Sequence, residues 1–143
     1  MVTWPREWCR MNEPAQKVCA VYRIRLVKTK NKPISVSRFL GSDKEGVLCI
    51  GRASNMQNRR TQFVSGSKGH SEGRLLCFLR KYSGLQRKYP RVPLEYQYVT
   101  TGSVRESKRQ EEELIKKYVR EYGEVPPLNS TIPGRERSDS WQK

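Results

Sequence analysis

The chain has 143 residues, and its 29 Lys and Arg against 14 Asp and Glu give a formal net charge of +15 at pH 7. This length suits a single domain with one hydrophobic core. No apolar run approaches the roughly 20 residues of a membrane-spanning helix, and the first ten residues lack the apolar stretch of a signal peptide. The sequence therefore argues against a transmembrane protein and a secreted disulfide scaffold. It predicts a cytoplasmic protein, acting at the nucleoid in a bacterium or in the nucleus of a eukaryote.

The excess of positive charge predicts a polyanionic partner. Lysine and arginine gain affinity for nucleic acid because they release condensed counterions from phosphates, so nucleic acid is the expected ligand and a membrane is not. The cysteines, at positions 9, 19, 49 and 77, include no Cys-x-x-Cys pair, and His70 is the one histidine of the chain. A zinc finger is therefore not expected, and the thiols are expected to be reduced and to pack in the core.

The first elements in chain order are an irregular segment over residues 1–15 and two strands. Residues 18–27 alternate apolar and basic side chains in their second half, which is typical of a strand with one solvated face. Residues 46–51 are a short apolar run between glycines, which predicts a buried strand paired with the first as a hairpin. Residues 28–45, which separate them, predict a long basic loop with a short extended piece around residues 36–40.

Two helices are predicted next. Ser54 is expected to cap a helix that runs to about residue 64, and residues 71–82 predict a second helix. Residues 94–100 alternate again and are rich in aromatic and β-branched side chains, which indicates a third strand.

The last predicted element is a long helix over residues 104–122. Ser103 is placed to cap it and Gly123 to end it. The whole order predicts an α+β domain over residues 16–129, with a small three-stranded antiparallel sheet flanked by helices. Residues 130–143 are polar and predict a disordered tail.

Glu111 lies in the middle of the apolar stripe of this last helix, if each residue turns the helix by about 100°. Burying an unpaired carboxylate costs roughly several kcal/mol of desolvation free energy. An arginine, hydroxyl groups or a metal ion must therefore bind it. Two interpretations stay open at this point. One is a salt bridge to the core, and the other is a Mg²⁺ site, because Mg²⁺ is often held by one or two carboxylates plus substrate phosphates.

Five further residues are candidates on weaker grounds. Arg59 and Arg60 lie on the first predicted helix, where a guanidinium either clamps a phosphate or stays solvated. Tyr22 lies on the first strand, where most tyrosines pack in the core. His70 is either a general base or phosphate contact, or a surface or capping residue. Asn129 is either an active-site hydrogen-bonding residue or part of a turn.

Several short motifs, in order, resemble those of the GIY-YIG nuclease superfamily. Residues 20–22 (Ala-Val-Tyr) resemble the GIY element, and residues 49–51 (Cys-Ile-Gly) resemble the YIG element. Arg59 stands where the family has its catalytic arginine. Glu111 precedes a Leu-Ile pair by three residues, as the metal-binding glutamate of the family does, and residues 127–129 (Pro-Leu-Asn) resemble the closing Pro…Asn element.

This resemblance implies a three-stranded antiparallel sheet and hydrolysis of phosphodiester bonds with one divalent metal, Mg²⁺ or Mn²⁺. Glu111 would hold the metal, and Arg59 would stabilise the negative charge that develops on the phosphate. Tyr22 would act as general base or position the water, and Asn129 would help to orient the site. His70 stands where several members place a histidine after the first helix.

The sequence departs from the family at Cys49, which replaces the second tyrosine. Three hypotheses follow: a metal-dependent DNA endonuclease, a catalytically impaired nucleic-acid-binding module on the same scaffold, and a basic RNA- or ribosome-associated protein with accidental motifs. Glu112 also remains an alternative metal ligand to Glu111.

The expected substrate of the endonuclease is double-stranded or branched DNA. Because the chain shows no separate recognition domain, it would be weakly specific, structure-specific, or dependent on a homodimer or a protein partner. The predicted DNA contacts are Lys28, Lys30, Lys32, Arg52 and Arg60.

Overall fold

A computed structural model of the chain describes residues 2–65 and 94–129. Within these ranges the chain forms seven strands and two helices. They are β1 (Cys9–Arg10), β2 (Ala20–Thr29), β3 (Lys32–Pro33), β4 (Val36–Arg38), β5 (Gly41–Asp43), β6 (Val47–Ala53), α1 (Met56–Ser65), β7 (Leu94–Thr100) and α2 (Val104–Tyr122). The predicted helix over residues 71–82, His70 and the predicted tail lie outside the described residues.

The architecture is α+β, built on an antiparallel sheet with β2 at its centre. β6 pairs with one side of β2 and β7 with the other, so that Tyr22 lies opposite both Gly51 and Tyr98. These are the three strands that the sequence predicts. The sheet nevertheless has five strands, because β1 pairs with β7 and β3 pairs with the far end of β2.

The sequence prediction missed three of the four short strands, β1, β3 and β5, for a physical reason. β1 and β3 have two residues each, and β4 and β5, which pair only with each other, have three each. Such lengths carry no period-2 pattern, so the pairing is decided by partners far away in the chain. The segment predicted as irregular therefore contains β1, and the predicted long loop contains β3 and β5. β4 falls within the extended piece predicted around residues 36–40.

The two helices pack against opposite faces of the sheet. Side chains two residues apart along a strand lie on the same face of the sheet. Tyr22 and Ile24 therefore share one face, and they belong to the same core cluster as Met56 and Phe63 of α1. Ile50 lies on the other face, where it clusters with residues of α2 such as Ile115.

The predicted bounds of α2 are confirmed, and its ends are capped as expected. The Ser103 side chain accepts a hydrogen bond from the backbone N–H of Glu106, and Gly123 takes the left-handed conformation, with φ of 80°, that glycine adopts without steric cost. The cap of α1 was predicted one residue too early. Asn55, not Ser54, accepts the hydrogen bond from the N–H of Asn58, at 3.1 Å.

A buried aspartate fixes α2 against the sheet. Asp43 accepts hydrogen bonds from the backbone N–H groups of Glu45 and Val47 and, at 2.8 Å, from the hydroxyl of Tyr118 on α2. Burial and the Asp43 carboxylate raise the pKa of the Tyr118 hydroxyl, so that it remains a proton donor. Asp43 therefore links α2 to the first residue of β6.

The predicted solvated face of the first strand is wrong. Arg25 is buried and Arg23 half-buried, since the N-terminal segment lays Trp4 and Trp8 across that face of β2. Over the described ranges, neither α1 nor α2 combines the length and apolar character required to cross a membrane.

Candidate active site

A cleft with a cavity of about 390 Å³ opens beside β6, at the point where α1 begins and α2 passes. Polar and charged groups dominate its lining. The lining residues are Tyr22, Gly51, Arg52, Ser54, Arg59, Val104 and Glu111. Three of the predicted catalytic residues, Tyr22, Arg59 and Glu111, therefore meet in one cavity from three elements far apart in the sequence, and the predicted DNA contact Arg52 lies beside them.

Tyr22 reaches this cleft because its partner on β6 is a glycine. The tyrosine is only 2% exposed and lies directly opposite Gly51. A Cβ atom on Gly51 would overlap the hydroxyl and the ring of Tyr22. The glycine of the YIG-like motif is thus required by the position of the tyrosine of the GIY-like motif.

Glu111 enters the cleft from α2, and its side chain is 20% exposed. Its Oε1 lies 3.8 Å from Nε of Arg52, which is an ion pair but too long for a hydrogen bond. This pair is the salt bridge that the sequence left open as one of two interpretations. It leaves the carboxylate at the wall of the cavity, where a ligand can reach it.

The neighbouring glutamates of α2 point elsewhere. Glu112 lines a separate surface depression with Arg105 and Lys108, and Glu113 is exposed and pairs with Arg109. Between the two predicted metal ligands, the geometry therefore favours Glu111 over Glu112.

Two guanidinium groups face the same cavity. Arg59 lies one turn into α1, and Arg52 lies in β6 just after Gly51. With Glu111 as the one carboxylate among the described lining residues, the wall is cationic. Guanidinium groups bind phosphate oxygens with two parallel hydrogen bonds, so this lining suits a phosphate group.

Asn129 lies beside the cleft and not in its described lining. Its Oδ1 accepts a hydrogen bond from the N–H of Ile50 and its Nδ2 donates one to the carbonyl of Ile50, both at 2.9 Å. Leu128 donates similarly to the carbonyl of Leu48. The side-chain amide therefore pairs with β6 as a neighbouring strand would, immediately before Gly51. Its contacts suit the orienting role that the resemblance implies rather than contact with substrate.

Arg60, a predicted DNA contact, is partly buried and does not belong to the described lining of the cleft. Its guanidinium donates a hydrogen bond to the carbonyl of Met11, at 2.7 Å, and another to the side chain of Gln57, at 3.2 Å. Adjacent residues of a helix differ by about 100° in direction, so Arg59 meets the cleft while Arg60 ties α1 to the N-terminal segment. Cys49 is fully buried between the strands and does not line the cleft.

The three predicted DNA-binding lysines form a separate exposed surface. Lys28, Lys30 and Lys32 lie on the β2–β3 hairpin, whose turn residue Asn31 has φ of 62°. Lys28 is six residues along β2 from Tyr22, or about 20 Å at the rise of an extended strand. A DNA duplex that reached both would span about six base pairs between them, at 3.4 Å per pair.

Changing Lys28, Lys30 and Lys32 together to alanine is expected to weaken DNA binding and to flatten its dependence on salt. Each lysine that contacts a phosphate contributes about 0.9 to the slope of log K against log salt, so the slope should fall by up to about 3. Filter binding at salt concentrations from about 50 to about 300 mM measures this slope. The triple Lys→Arg variant keeps the charge and should keep the slope; an unchanged slope in the alanine variant would remove this hairpin from the interface.

The donor set fits a single hard cation held jointly with a substrate. Among residues 2–65 and 94–129 there is no group of three or more His, Cys, Asp or Glu that could hold a metal ion. One inward carboxylate between two guanidinium groups matches the Mg²⁺ sites in which phosphate oxygens and water supply the other ligands. Glu111 would be the protein ligand of such an ion.

The sequence missed the contributions of Ser54 and Val104 to the cleft. In the sequence, Ser54 is predicted to cap a helix and residue 104 to begin another, and no neighbouring residue indicates that both line one cleft.

Comparison with known protein families, with curated proteins and with solved structures finds no match to this chain.

Proposed function

We propose that the chain is a metal-dependent endonuclease that hydrolyses phosphodiester bonds of DNA, with Mg²⁺ or Mn²⁺ at a single-metal site of GIY-YIG type. The observation that carries this proposal is the convergence of Tyr22, Arg59 and Glu111 in one cationic cleft. Three separate motifs predict these residues from the sequence. Their meeting in space is a condition that accidental motifs would rarely satisfy.

In this proposal each residue of the cleft has a distinct task. Glu111 would hold the cation, which would supply charge neutralisation at the scissile phosphate when bound. Arg59 donates hydrogen bonds to the phosphate oxygens and stabilises the charge that grows there in the transition state. Arg52, which pairs with Glu111 only at long range, is free to turn toward the same phosphate once a cation takes its place.

Tyr22 would act at the nucleophile. Its hydroxyl borders the cleft while its ring is buried, so the group has a fixed position. A fixed hydroxyl can orient the attacking water, and its deprotonated phenolate form can accept the proton of that water as the bond from phosphorus to the leaving oxygen breaks.

Cys49 supports one alternative function. Because its side chain is buried in the core, it supplies no group to the cleft in place of the family's second tyrosine. The alternative is a nucleic-acid-binding module on the same scaffold, which would bind DNA without cutting it.

The test is the nicking of supercoiled plasmid in the presence of Mg²⁺. We expect wild-type protein to nick or linearise the plasmid, EDTA to prevent this, and Glu111→Ala to lose it. Glu112→Ala is the matched control, since this residue neighbours Glu111 on α2 but faces away from the cleft, and it should keep the activity.

Two outcomes would count against the proposal. Cleavage that survives Glu111→Ala would exclude this carboxylate as the metal ligand. Retardation of the plasmid that weakens with salt, without any cleavage in Mg²⁺ or Mn²⁺, would favour the binding module.

A further inference from the structure

A second cavity, of about 250 Å³, lies between the N-terminal segment and α2. Trp4, Arg23, Glu45, Lys117 and Glu121 are among the residues that line it. It lies close to the proposed active site along α2, because its lining residue Leu114 follows Glu111 by about one helical turn. On the sheet side, its lining residue Ile50 directly precedes Gly51.

Arg23 contributes a guanidinium group to the lining of this second cavity. Its guanidinium carbon lies 4.6 Å from the centre of the Trp4 ring and 4.7 Å from that of Trp8. Among the described residues its one hydrogen bond runs from Nε to the Gln97 side chain, at 2.9 Å. The two terminal amino groups are therefore available as a pair of donors. Burial lowers the pKa of Arg23 to about 10, which leaves it cationic at neutral pH.

The acceptors in the cavity are carboxylates. Asp43 is saturated by two backbone N–H groups and the Tyr118 hydroxyl. Glu45 accepts one bond from Arg25, at 3.3 Å, and Glu121 is exposed at the rim. Because these carboxylates stand beside Arg23, a simple anion is a poor ligand. A neutral molecule with acceptors on one edge and donors on another fits better.

Guanine has this arrangement. Its O6 and N7 accept two hydrogen bonds from one arginine, and its N2 amino group is a donor suited to a carboxylate. Adenine places a donor where guanine has O6, so it would oppose the amino groups of Arg23. Aromatic side chains such as Trp4 and Tyr122, which also line the cavity, provide surfaces on which a base stacks.

We propose that this second cavity binds a guanine base, which would belong to a nucleotide close to the one whose phosphate occupies the cleft. The identity of the ligand rests on the second cavity alone. Its place in a DNA strand rests on the proposed endonuclease function.

Neutral nucleosides test the ligand without phosphate, so neither the net charge of the protein nor the cleft contributes to binding. Guanosine, adenosine and cytidine are titrated into the full chain while tryptophan fluorescence is recorded. We expect guanosine to cause saturable quenching with a Kd at least tenfold lower than that of adenosine. Equal binding of the three nucleosides, or quenching by guanosine that rises linearly without saturation, would overturn the proposal.

Three variants locate the site. Glu121→Ala alters an exposed residue near the C-terminal end of α2. It should weaken guanosine binding at least fivefold while leaving adenosine binding unchanged. Arg23→Lys should abolish the preference for guanosine, with circular dichroism as the check on folding. Glu112→Ala, on the same helix but outside both cavities, should bind guanosine as the wild type does. Unchanged guanosine binding in Glu121→Ala would also overturn the proposal.

The nucleoside experiment and the plasmid experiment fail independently. Guanosine binding without plasmid cleavage would keep the base site and reject the endonuclease. Cleavage without selective guanosine binding would keep the endonuclease and reject the base site.

Discussion

Glu95→Ala is expected to lower the free energy of unfolding by about 3–5 kcal/mol, the usual cost of removing one partner of a buried ion pair. Glu95 is 1% exposed, and its Oε1 accepts hydrogen bonds from Nε and Nη2 of Arg25, at 2.9 and 2.7 Å. Its Oε2 accepts a third from the N–H of Asn31, at 3.1 Å. Without this carboxylate, the buried guanidinium would keep the longer ion pair to Glu45 and its contact with the Trp8 ring.

Urea denaturation of the wild type and the variant measures this loss. Glu113→Ala is the control, because its exposed pair with Arg109 should contribute at most about 0.5 kcal/mol. The double variant Arg25→Met, Glu95→Leu should be more stable than Glu95→Ala, since it buries no unpaired charge. A loss below about 1 kcal/mol in Glu95→Ala would show that water reaches this pair in solution.

The sequence correctly predicted the elements whose structure depends on residues close together in the chain. The period of α2 and its caps depend on residues within a few positions of each other, and both its bounds and the inward direction of Glu111 followed from them. The three central strands were visible for the same reason. Each has an alternating or continuous apolar run long enough to show its period.

The rest depends on which strands become neighbours, and a single sequence does not reveal this. The basic face of β2 looked solvated because neither Trp8 nor Glu95 is near Arg25 in the sequence, although both contact it in the fold. The passage of Tyr22 over Gly51 depends on the register of β2 against β6. A one-residue shift of that register would place the tyrosine on the opposite face.

The candidate site likewise combines residues that the sequence indicated with contacts that it did not. Motif order indicated Tyr22, Arg59 and Glu111, and the structure places all three around the cleft. The pairing of Arg52 with Glu111, and that of Asn129 with the backbone of Ile50, required the positions of α2 and of the segment after it. Neither contact has a local signal.

Arg59→Ala is expected to reduce the rate of plasmid nicking by about 10²–10³-fold, the usual effect of removing one donor that stabilises charge in the transition state. DNA affinity should change much less, because in the proposed complex other cations such as Lys28, Lys30 and Lys32 would also contact phosphates along the duplex. Arg59 is half-buried at the cleft, and its backbone N–H bonds to the carbonyl of Asn55 at the start of α1. Shortening the side chain therefore leaves the helix cap in place.

Single-turnover nicking with protein in excess over plasmid separates this effect on the chemical step from binding. Arg59→Lys restores the charge without the planar pair of donors, so its rate should lie between those of the wild type and Arg59→Ala. Asn58→Ala, at the exposed neighbouring position of α1, is the matched control and should nick at the wild-type rate. If Arg59→Ala lost DNA binding and nicking in the same proportion, Arg59 would be a ground-state phosphate contact, and the stabilisation of the transition state would have to come from Arg52.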